Sequence, residues 1–297
     1  MTLGRSTARP EGNVVLETLK AQMEARTPRL FGGLALLFNL AAAMRVEEPA
    51  HLLPLLVRRG DTICDIGANN GLFTFWLLRL GGRVETFEPN PLLARVLRLR
   101  FAKAIRSGRL RLFDCALSDE AGTATLHVPC GFSPLGTIDG DFLTRAQSPM
   151  DEITVQCRML DDCMTGPVDV IKIDVEGHEL KVLRGASRLL AAHRPTLLVE
   201  AEERHHAGAV SALRGLLEPL GYEGFFCCKG AVQPISAFDP GQHQPPGALT
   251  AQGTRVRAGQ VYVNNFVFIA HPDRKARFLA WTPGRWLLKA AMRSAQG

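Results

Sequence analysis

The sequence predicts an α/β fold with a mostly parallel β-sheet, and three observations support this fold class. From residue 61 onward, short strand-like runs alternate with helical segments. The strand-like runs are apolar on both faces, as buried parallel strands are. A glycine-containing loop, Asp65–Gly71, follows the first of these runs and precedes a helix. Alternation of this kind builds a parallel sheet that is covered by helices on both faces.

The individual elements follow from local composition. The predicted core strands are rich in Val, Ile, Leu and Cys, and they are Thr62–Ile66, Arg83–Glu88, Leu110–Leu117, Val168–Val175 and Thr196–Glu200. The predicted helices are Leu72–Leu80, a segment that starts at Asn90-Pro91, Gly177–Ala192 and Ser211–Leu220. Asn90 is a helix-capping residue, and proline suits the first helical position. Tyr222–Cys228 and Val261–Ile269 predict a closing antiparallel pair. The expected sheet is Rossmann-like, with an antiparallel last strand.

Three regions depart from the alternation. Residues 1–50 predict a helical extension, in which the apolar run Leu30–Met44 is shorter than the about 20 residues that span a bilayer. Thr123–Val128 and Ile153–Gln156 alternate like strands and predict a small β insertion. Residues 272–297 are a basic tail or helix, for which packing against the domain is favoured over peripheral membrane contact. The predicted domains are therefore 1–50, 51–271 and 272–297.

Composition excludes several classes of protein. Hydrophobic residues make up 46% and charged residues 22% of the chain, which are values of a globular and not a disordered protein. The seven cysteines include no C-x-x-C pair, so they indicate neither a disulfide framework nor a zinc knuckle and favour a reducing, cytoplasmic location. The first residues lack the order of a signal peptide. The net charge of +6 suits an anionic partner without identifying one.

The loop Asp65–Gly71 carries the clearest sign of a ligand. Ligands of open α/β sheets bind beyond the carboxyl ends of the strands, and glycine lets the backbone pass close to them. The dinucleotide fingerprint G-x-G-x-x-G is absent because Asn69 stands at its second glycine position, and the phosphate-binding P-loop sequence is absent as well. The loop therefore predicts a nucleotide-like ligand without a pyrophosphate.

Glu88 is the second sign of this ligand. It ends the second predicted strand, 21 residues after Gly67, where an acidic residue accepts hydrogen bonds from ribose hydroxyls. Adenosine with an amino-acid tail and no phosphate describes S-adenosylmethionine, which we expect as the cofactor. Its carboxylate would face the helix N-terminus near Asn70–Leu72, and Asp65 would meet its ammonium group directly or through water.

Four blocks of sequence together resemble the FkbM-type methyltransferases. They are Asp65–Thr74, Phe87–Pro91, Ala116–Asp119 and Ile171–Glu179. The resemblance covers roughly residues 52–228 and implies a class I methyltransferase fold with a seven-stranded sheet. It also implies O-methylation of a hydroxyl on a sugar, a glycan or a polyketide-type small molecule, and a segment around Ala116–Ser118 that lies near the adenine. The expected cofactor-binding residues are Asp65, Gly67, Ala68, Asn69, Asn70, Gly71, Thr74, Glu88, Pro89, Asn90, Ala116 and Leu117.

The expected catalytic residues lie at the carboxyl ends of the fourth and fifth predicted strands. Asp174, Glu176 and His178 follow the fourth strand, and Glu200 ends the fifth. His178 is a candidate base, since histidine has an ordinary pKa of about 6.5. Asp174 is better placed, at the end of the strand, and is expected to accept the acceptor's proton directly or to orient His178. The structural alternative is that Glu176 and His178 belong only to the first turn of a helix and that Glu200 is solvated.

Two further expectations concern metals and histidines. No metal is expected, although Asp174 and Glu200 stand where some O-methyltransferases hold Mg²⁺. The pair His205-His206 is expected to be exposed on a loop and not to bind a ligand.

Two other functions stay open at this point. The positive charge makes an RNA methyltransferase thinkable, but the sequence Asp174–Gly177 stands where many nucleic-acid enzymes carry [ND]-P-P-[YF]. No RNA-binding module signature is found either. The remaining alternative is a cofactor-binding scaffold without catalysis, against which the acidic residues after the fourth strand argue. The sequence does not indicate an oligomeric state.

Overall fold

The computed structural model describes residues 49–129, 137–138, 150–250 and 256–280. The strands are β1 Thr62–Ile66, β2 Arg83–Phe87, β3 Leu110–Phe113, β4 Ala116–Leu117, β5 Gly122–Pro129, β6 Met150–Arg158, β7 Val170–Ile173, β8 Thr196–Glu200, β9 Glu223–Cys228, β10 Ala231–Pro234 and β11 Asn265–Ile269. The α-helices are α1 Leu53–Leu56, α2 Leu72–Arg79, α3 Pro91–Arg100, α4 Ala102–Arg106, α5 Leu160–Cys163, α6 Glu179–Arg184, α7 Ser187–His193, α8 Ala209–Leu217, α9 Pro240–His243 and α10 Pro272–Leu279. Residues 1–48 of the predicted helical extension lie outside the described residues.

The main sheet has eight strands in the order β10-β9-β11-β8-β7-β1-β2-β3. Strands β8, β7, β1, β2 and β3 pair in parallel, whereas β11 runs antiparallel to both β8 and β9. The predicted fold class, a mostly parallel sheet with an antiparallel last strand, is therefore confirmed. The expectation of seven strands missed β10, which pairs with β9 across a tight turn at Lys229-Gly230. Both turn residues have positive φ, as a two-residue hairpin turn requires.

The predicted strand Leu110–Leu117 divides between two sheets. Strand β3 ends at Phe113, and β4 joins a three-stranded sheet in the order β4-β6-β5. Strands β5 and β6 form a long antiparallel pair and correspond to the predicted β insertion. A separate apolar cluster that includes Leu126, Val128 and Val155 stabilises this small sheet. Most of the loop between β5 and β6 lies outside the described residues.

Two apolar clusters cover the two faces of the main sheet, because side chains alternate along each strand. Ile63 and Val170 pack with α1, α2 and α10 on one face. Cys64 and Ile171 pack with α6, α7 and α8 on the other. The predicted helix Gly177–Ala192 is two helices, since the chain turns at Gly185 and Ala186 between α6 and α7.

A buried ion pair fixes helix α10 next to the amino end of β1. Arg274 Nη1 lies 2.9 Å from Asp61 Oδ2 and also donates to the carbonyl oxygen of Leu56. Phe278 on the same helix is fully buried. Among the helices that the structure describes, none is long and apolar enough to cross a bilayer.

Candidate active site

A cleft opens at the carboxyl ends of β1, β2 and β7. The residues that line it are Ile66, Gly67, Asn69, Phe87, Glu88, Pro89, Asn90, Leu93, Cys115, Ala116, Leu117, Leu126, Ile138, Asp174, Val175, Glu176 and His178. The cleft thus brings together predicted residues from four separate sequence blocks. It also includes Leu126 and Ile138 of the β insertion, which the sequence did not connect with the site.

The loop after β1 has the backbone conformation that glycine favours. Gly67 and Gly71 have φ angles of +72° and +83°, and Asn69 between them has +54°. A Cβ atom on Gly67 would lie 1.9 Å from the backbone oxygen of Asp174. The close approach of two loops of the protein therefore requires glycine at position 67, independently of any ligand. A Cβ atom on Gly71 would lie 2.6 Å from side-chain carbons of Leu97 and Phe101.

Hydrogen bonds hold two other members of the loop, Ala68 and Asn70. Ala68 is buried and donates its amide hydrogen to the carbonyl oxygen of Phe87 at 3.2 Å. Asn70 donates its amide to Asn69 Oδ1 at 2.7 Å, and its carbonyl oxygen accepts a hydrogen bond from Arg100. These contacts hold the loop in place at the start of α2.

Asp65 lies behind the cleft, where it forms a buried polar cluster with Thr74 and Lys172. Thr74 Oγ1 donates to Asp65 Oδ2 at 2.5 Å. The register of β1 and β7 places Lys172 beside Asp65, and Lys172 Nζ lies 3.7 Å from Asp65 Oδ1. Lys172 also donates to the carbonyl oxygen of Gly67 at 3.0 Å. Asp65 therefore faces a cation of the protein, which differs from the expected contact with a cofactor ammonium group.

Lys172 connects this cluster with the cleft and was missed by sequence reasoning. Its Nζ lies 3.3 Å from Asp174 Oδ2, and the side chain is 4% exposed. Burial alone would lower the pKa of Lys172, but the carboxylates of Asp174 and Asp65 raise it above its ordinary value. The available signal was a lysine inside the apolar strand Val170–Ile173, since buried lysine is rare unless it is paired.

Glu88 presents a buried carboxylate to the cleft. Oε2 accepts a hydrogen bond from the Asn69 amide at 2.7 Å, and Oε1 accepts one from the Asn90 amide at 2.8 Å. Burial raises the pKa of Glu88 to about 7, although these two amide donors act in the opposite direction. Asn90 also caps α3 by accepting a hydrogen bond from the Leu92 amide, which confirms its predicted role at the start of this helix.

The part of the cleft next to Glu88 is an apolar slot. Phe87 stacks on Phe113 with ring centroids 4.6 Å apart, and Leu93, Ala116 and Leu117 line the same region. No Lys or Arg is found among the described residues that line the cleft. A carboxylate for hydroxyl groups beside an apolar slot, without cations for phosphate, fits a nucleoside better than a nucleotide.

Three polar residues of the loop after β7 line the other part of the cleft. Asp174 is the least buried of them, with 28% of its side chain exposed. Glu176 has a φ of +50°, and its backbone oxygen accepts a hydrogen bond from Thr137 Oγ1 at 2.9 Å. Burial, together with the nearby Asp174, raises the pKa of Glu176 to about 8. His178 is 5% exposed, and its Nε2 lies 3.0 Å from Ser118 Oγ.

Further carboxylates follow β8 behind this loop. Glu200 is not among the residues that line the cleft in the described part of the chain, and its Oε1 accepts a hydrogen bond from Asn264 Nδ2 at 2.6 Å. Burial raises the pKa of Glu200 well above its ordinary value, and the carboxylates of Asp174 and Glu176 add to this effect. Glu202 is buried and pairs with Arg204.

His205 differs from its expected position. It is buried, with 6% of its side chain exposed, and its Nδ1 lies 3.6 Å from Glu176 Oε2; His206 is exposed. Single ligand atoms of Glu176, Glu202 and His205 lie within 4.8 Å of one another, a spacing that suits a metal ion. However, Glu202 already accepts hydrogen bonds from Arg204 and Tyr262, so we assign no metal to this group.

Comparisons with known proteins give one matching family model and several similar proteins. Residues 65–223, more than half of the chain, match the family model described as the methyltransferase FkbM domain. The 31-O-demethyl-FK506 methyltransferase FkbM of Streptomyces tacrolimicus is 29% identical over 197 residues, which cover 56% of this chain and 74% of that protein. Methyltransferase sdnD of Sordaria araneosa is 28% identical over 192 residues, which cover 54% and 73%.

Solved structures give more distant similarities. Methyltransferase FkbM from Methylobacillus flagellatus KT is 19% identical with a TM-score of 0.47, and the match covers 75% of this chain and 48% of that chain. This chain thus spans about half the length of that protein. The O-methyltransferase from Bacillus cereus in complex with SAH is 16% identical with a TM-score of 0.41, covering 88% and 92%.

Proposed function

The chain belongs to the FkbM family of S-adenosylmethionine-dependent methyltransferases, and we propose that it transfers the methyl group to a hydroxyl oxygen of a small organic molecule. The observation that carries this proposal is the composition of the cleft. One part is an apolar slot with a buried carboxylate, Glu88, and the other part holds the carboxylates Asp174 and Glu176. The name of the Streptomyces tacrolimicus relative, a 31-O-demethyl-FK506 methyltransferase, supports a hydroxyl on a polyketide-type compound, and a sugar or glycan hydroxyl suits the same chemistry.

The residues around the slot would hold the adenosine of the cofactor. Glu88 has lone pairs left to accept hydrogen bonds from ribose hydroxyls, since each carboxylate oxygen accepts more than one. Phe87, Ala116 and Leu117 would contact the adenine. Bound S-adenosylmethionine supplies an activated methyl group, because its sulfonium sulfur takes up the electron pair of the bond that breaks. The protein must then align the acceptor oxygen with that group and remove its proton.

Glu176 is the best-placed proton acceptor of the described residues in the cleft. A base works best when its pKa lies near the working pH, and the pKa of Glu176 is about 8. Asp174 is ion-paired with Lys172 at 3.3 Å, and the Nε2 atom of His178 faces Ser118. We therefore assign proton removal to Glu176 and the positioning of the acceptor to Asp174 and His178.

The same carboxylates argue against RNA as the acceptor. Asp174 and Glu176 lie where a polynucleotide would approach, and no Lys or Arg is among the described residues that line the cleft. Like charges at short range oppose the binding of phosphates. A neutral polyhydroxylated compound meets no such repulsion, and carboxylates accept its hydroxyl hydrogens.

The assay for this function is the release of S-adenosylhomocysteine with a panel of acceptors. The panel contains hexoses, macrocyclic and aromatic alcohols, the corresponding amines and a tRNA mixture. We expect release with one class of alcohol and methyl ether formation by mass spectrometry. Release with tRNA and with none of the alcohols would contradict the proposal.

Replacement of Glu88 by alanine should weaken cofactor binding. Hydrogen bonds to a charged acceptor contribute about 1.5–3 kcal/mol, so calorimetry should show roughly 10- to 150-fold lower affinity. Glu218→Ala is the control, because Glu218 is exposed at the end of α8. Unchanged affinity in Glu88→Ala would show that this carboxylate does not bind the cofactor.

We also propose that the reaction needs no metal ion. In the acceptor region Asp174 is paired with Lys172, Glu202 with Arg204 and Glu200 with Asn264. Mg²⁺ usually binds through one or two carboxylates and several waters, and these carboxylates already have partners. EDTA should therefore leave the turnover unchanged. A loss of turnover with EDTA that Mg²⁺ restores would overturn this expectation.

A further inference from the structure

His205 is a buried histidine for which the proposed reaction has so far given no role. It lies in the loop after β8, and its amide donates to the carbonyl oxygen of Glu202 at 3.0 Å. Its Nδ1 lies 3.6 Å from Glu176 Oε2, with 6% of the histidine side chain and 19% of the glutamate side chain exposed. A separation of 3.6 Å is that of an ion pair and is too long for a direct hydrogen bond.

The charges around this pair are mostly negative. Glu176 faces Asp174 and Glu179 from the loop and helix after β7, and Glu202 and Arg204 from the loop after β8. Glu200 at the end of β8 also faces Glu176. Glu202 lies near His205 as well, and it accepts a hydrogen bond from Tyr262. Arg204 donates to Glu202 at 2.9 Å, so its charge is engaged there. Its charge also lowers the pKa of Glu176. When its ring is protonated, His205 places a second cation against Glu176, with Nδ1 3.6 Å from the carboxylate.

We propose that His205 is a positioning residue for Glu176, because as an imidazolium it favours the ionised carboxylate that can accept a proton. This inference rests on the proposed function. The acceptor hydroxyl would give its proton to a Glu176 carboxylate oxygen while its own oxygen forms the new bond to the methyl carbon. The bond between that carbon and the cofactor sulfur would break, with its electron pair staying on the sulfur. Glu176 then releases the proton to solvent, so His205 itself neither gains nor loses a proton in the reaction.

The position of Glu176 explains why it needs such a partner. Burial and the neighbouring Asp174 raise the pKa of Glu176 to about 8, so at neutral pH much of it carries a proton and cannot act as a base. Protonation of His205, whose Nδ1 lies 3.6 Å away, opposes this effect, because an opposite charge at that range favours the ionised form. Removal of the cation should raise the pKa of Glu176 further, and a purely structural histidine would not have that effect.

The test is an NMR titration of the Glu176 side-chain carboxyl carbon in the full chain, labelled with ¹³C-glutamate and saturated with S-adenosylhomocysteine. Glu176→Gln assigns the resonance. His205→Gln should move the midpoint upward by about one pH unit, as Coulomb's law gives for this distance even at the dielectric constant of water. His206→Gln, which changes the exposed neighbour, should leave the midpoint where it is.

The outcomes separate this inference from the proposed function. An unmoved midpoint in a folded His205→Gln variant overturns the role of His205, whatever the acceptor assay shows. If that variant does not fold, the His205 ring is titrated instead in the parent protein and in Glu176→Gln, where loss of the carboxylate must lower its midpoint; equal midpoints overturn the inference. The titration needs no acceptor, so a shift together with an inactive acceptor panel would count against the proposed function alone.

Discussion

Glu176→Gln is expected to lower turnover by about 10²- to 10⁴-fold, the usual contribution of a general base. The substitution keeps the size of the side chain and removes its ability to accept a proton. Because Glu176 lies in the loop after β7 and not in the apolar slot, the affinity for the cofactor should not change. Asp174→Asn and His178→Gln should have smaller effects, since both residues are assigned to positioning.

The pH dependence gives a second measurement of the same role. Only the ionised carboxylate accepts a proton, so turnover should rise with pH through the pKa of Glu176, which is about 8. Glu176→Gln should lose this rise. Turnover is measured by release of S-adenosylhomocysteine with the alcohol identified in the panel, and cofactor affinity by calorimetry, with Glu218→Gln as the control. If Glu176→Gln turns over at the parent rate, the proton leaves by another route, and Glu200 or bulk water becomes the better candidate.

The fold, and the loop and helix start that line the cleft, could be predicted from local sequence signals. The two-sided apolar strands, the glycine loop after β1 and the cap at Asn90 each act within a few residues, so a single sequence displays them. The hairpin strand β10 was missed because its turn is Lys229-Gly230, in which lysine is not a typical residue with positive φ. The division of Leu110–Leu117 was missed because both halves are apolar strands that differ only in the sheet they join.

The acceptor region was harder to predict because its contacts join distant parts of the chain. His205 lies in a loop that packs against Glu176, and no periodicity around His205-His206 indicates this contact. Asp65 could be assigned to the site from its loop, but its partner Lys172 follows from the strand register. A sequence gives the residue types at strand ends, whereas the pairing of those residues depends on strand order and loop packing.

Lys172→Met is expected to lower the free energy of unfolding by about 3–5 kcal/mol, because removal of one partner from a buried ion pair leaves an uncompensated charge. The lysine ammonium lies 3.7 Å from Asp65 Oδ1 and 3.3 Å from Asp174 Oδ2. Asp65 is fully buried, so water cannot replace the lost cation. The carbonyl oxygen of Gly67 also loses its donor, which should loosen the cofactor loop and weaken cofactor binding as well.

Urea denaturation of three variants separates this charge effect from a change in packing. Lys181→Met alters an exposed lysine on α6 and should leave the free energy of unfolding nearly unchanged. Combining Lys172→Met with Asp65→Asn removes both charges, so the double variant should be less destabilised than the sum of the single variants. Methionine fills most of the volume of the lysine stem, and the aromatic ring of Phe73, whose centroid lies 4.7 Å from Lys172 Nζ, can pack against it. A loss no greater for Lys172→Met than for Lys181→Met would contradict this expectation, because it would mean that neither Asp65, Asp174 nor the Gly67 carbonyl oxygen depends on the lysine ammonium.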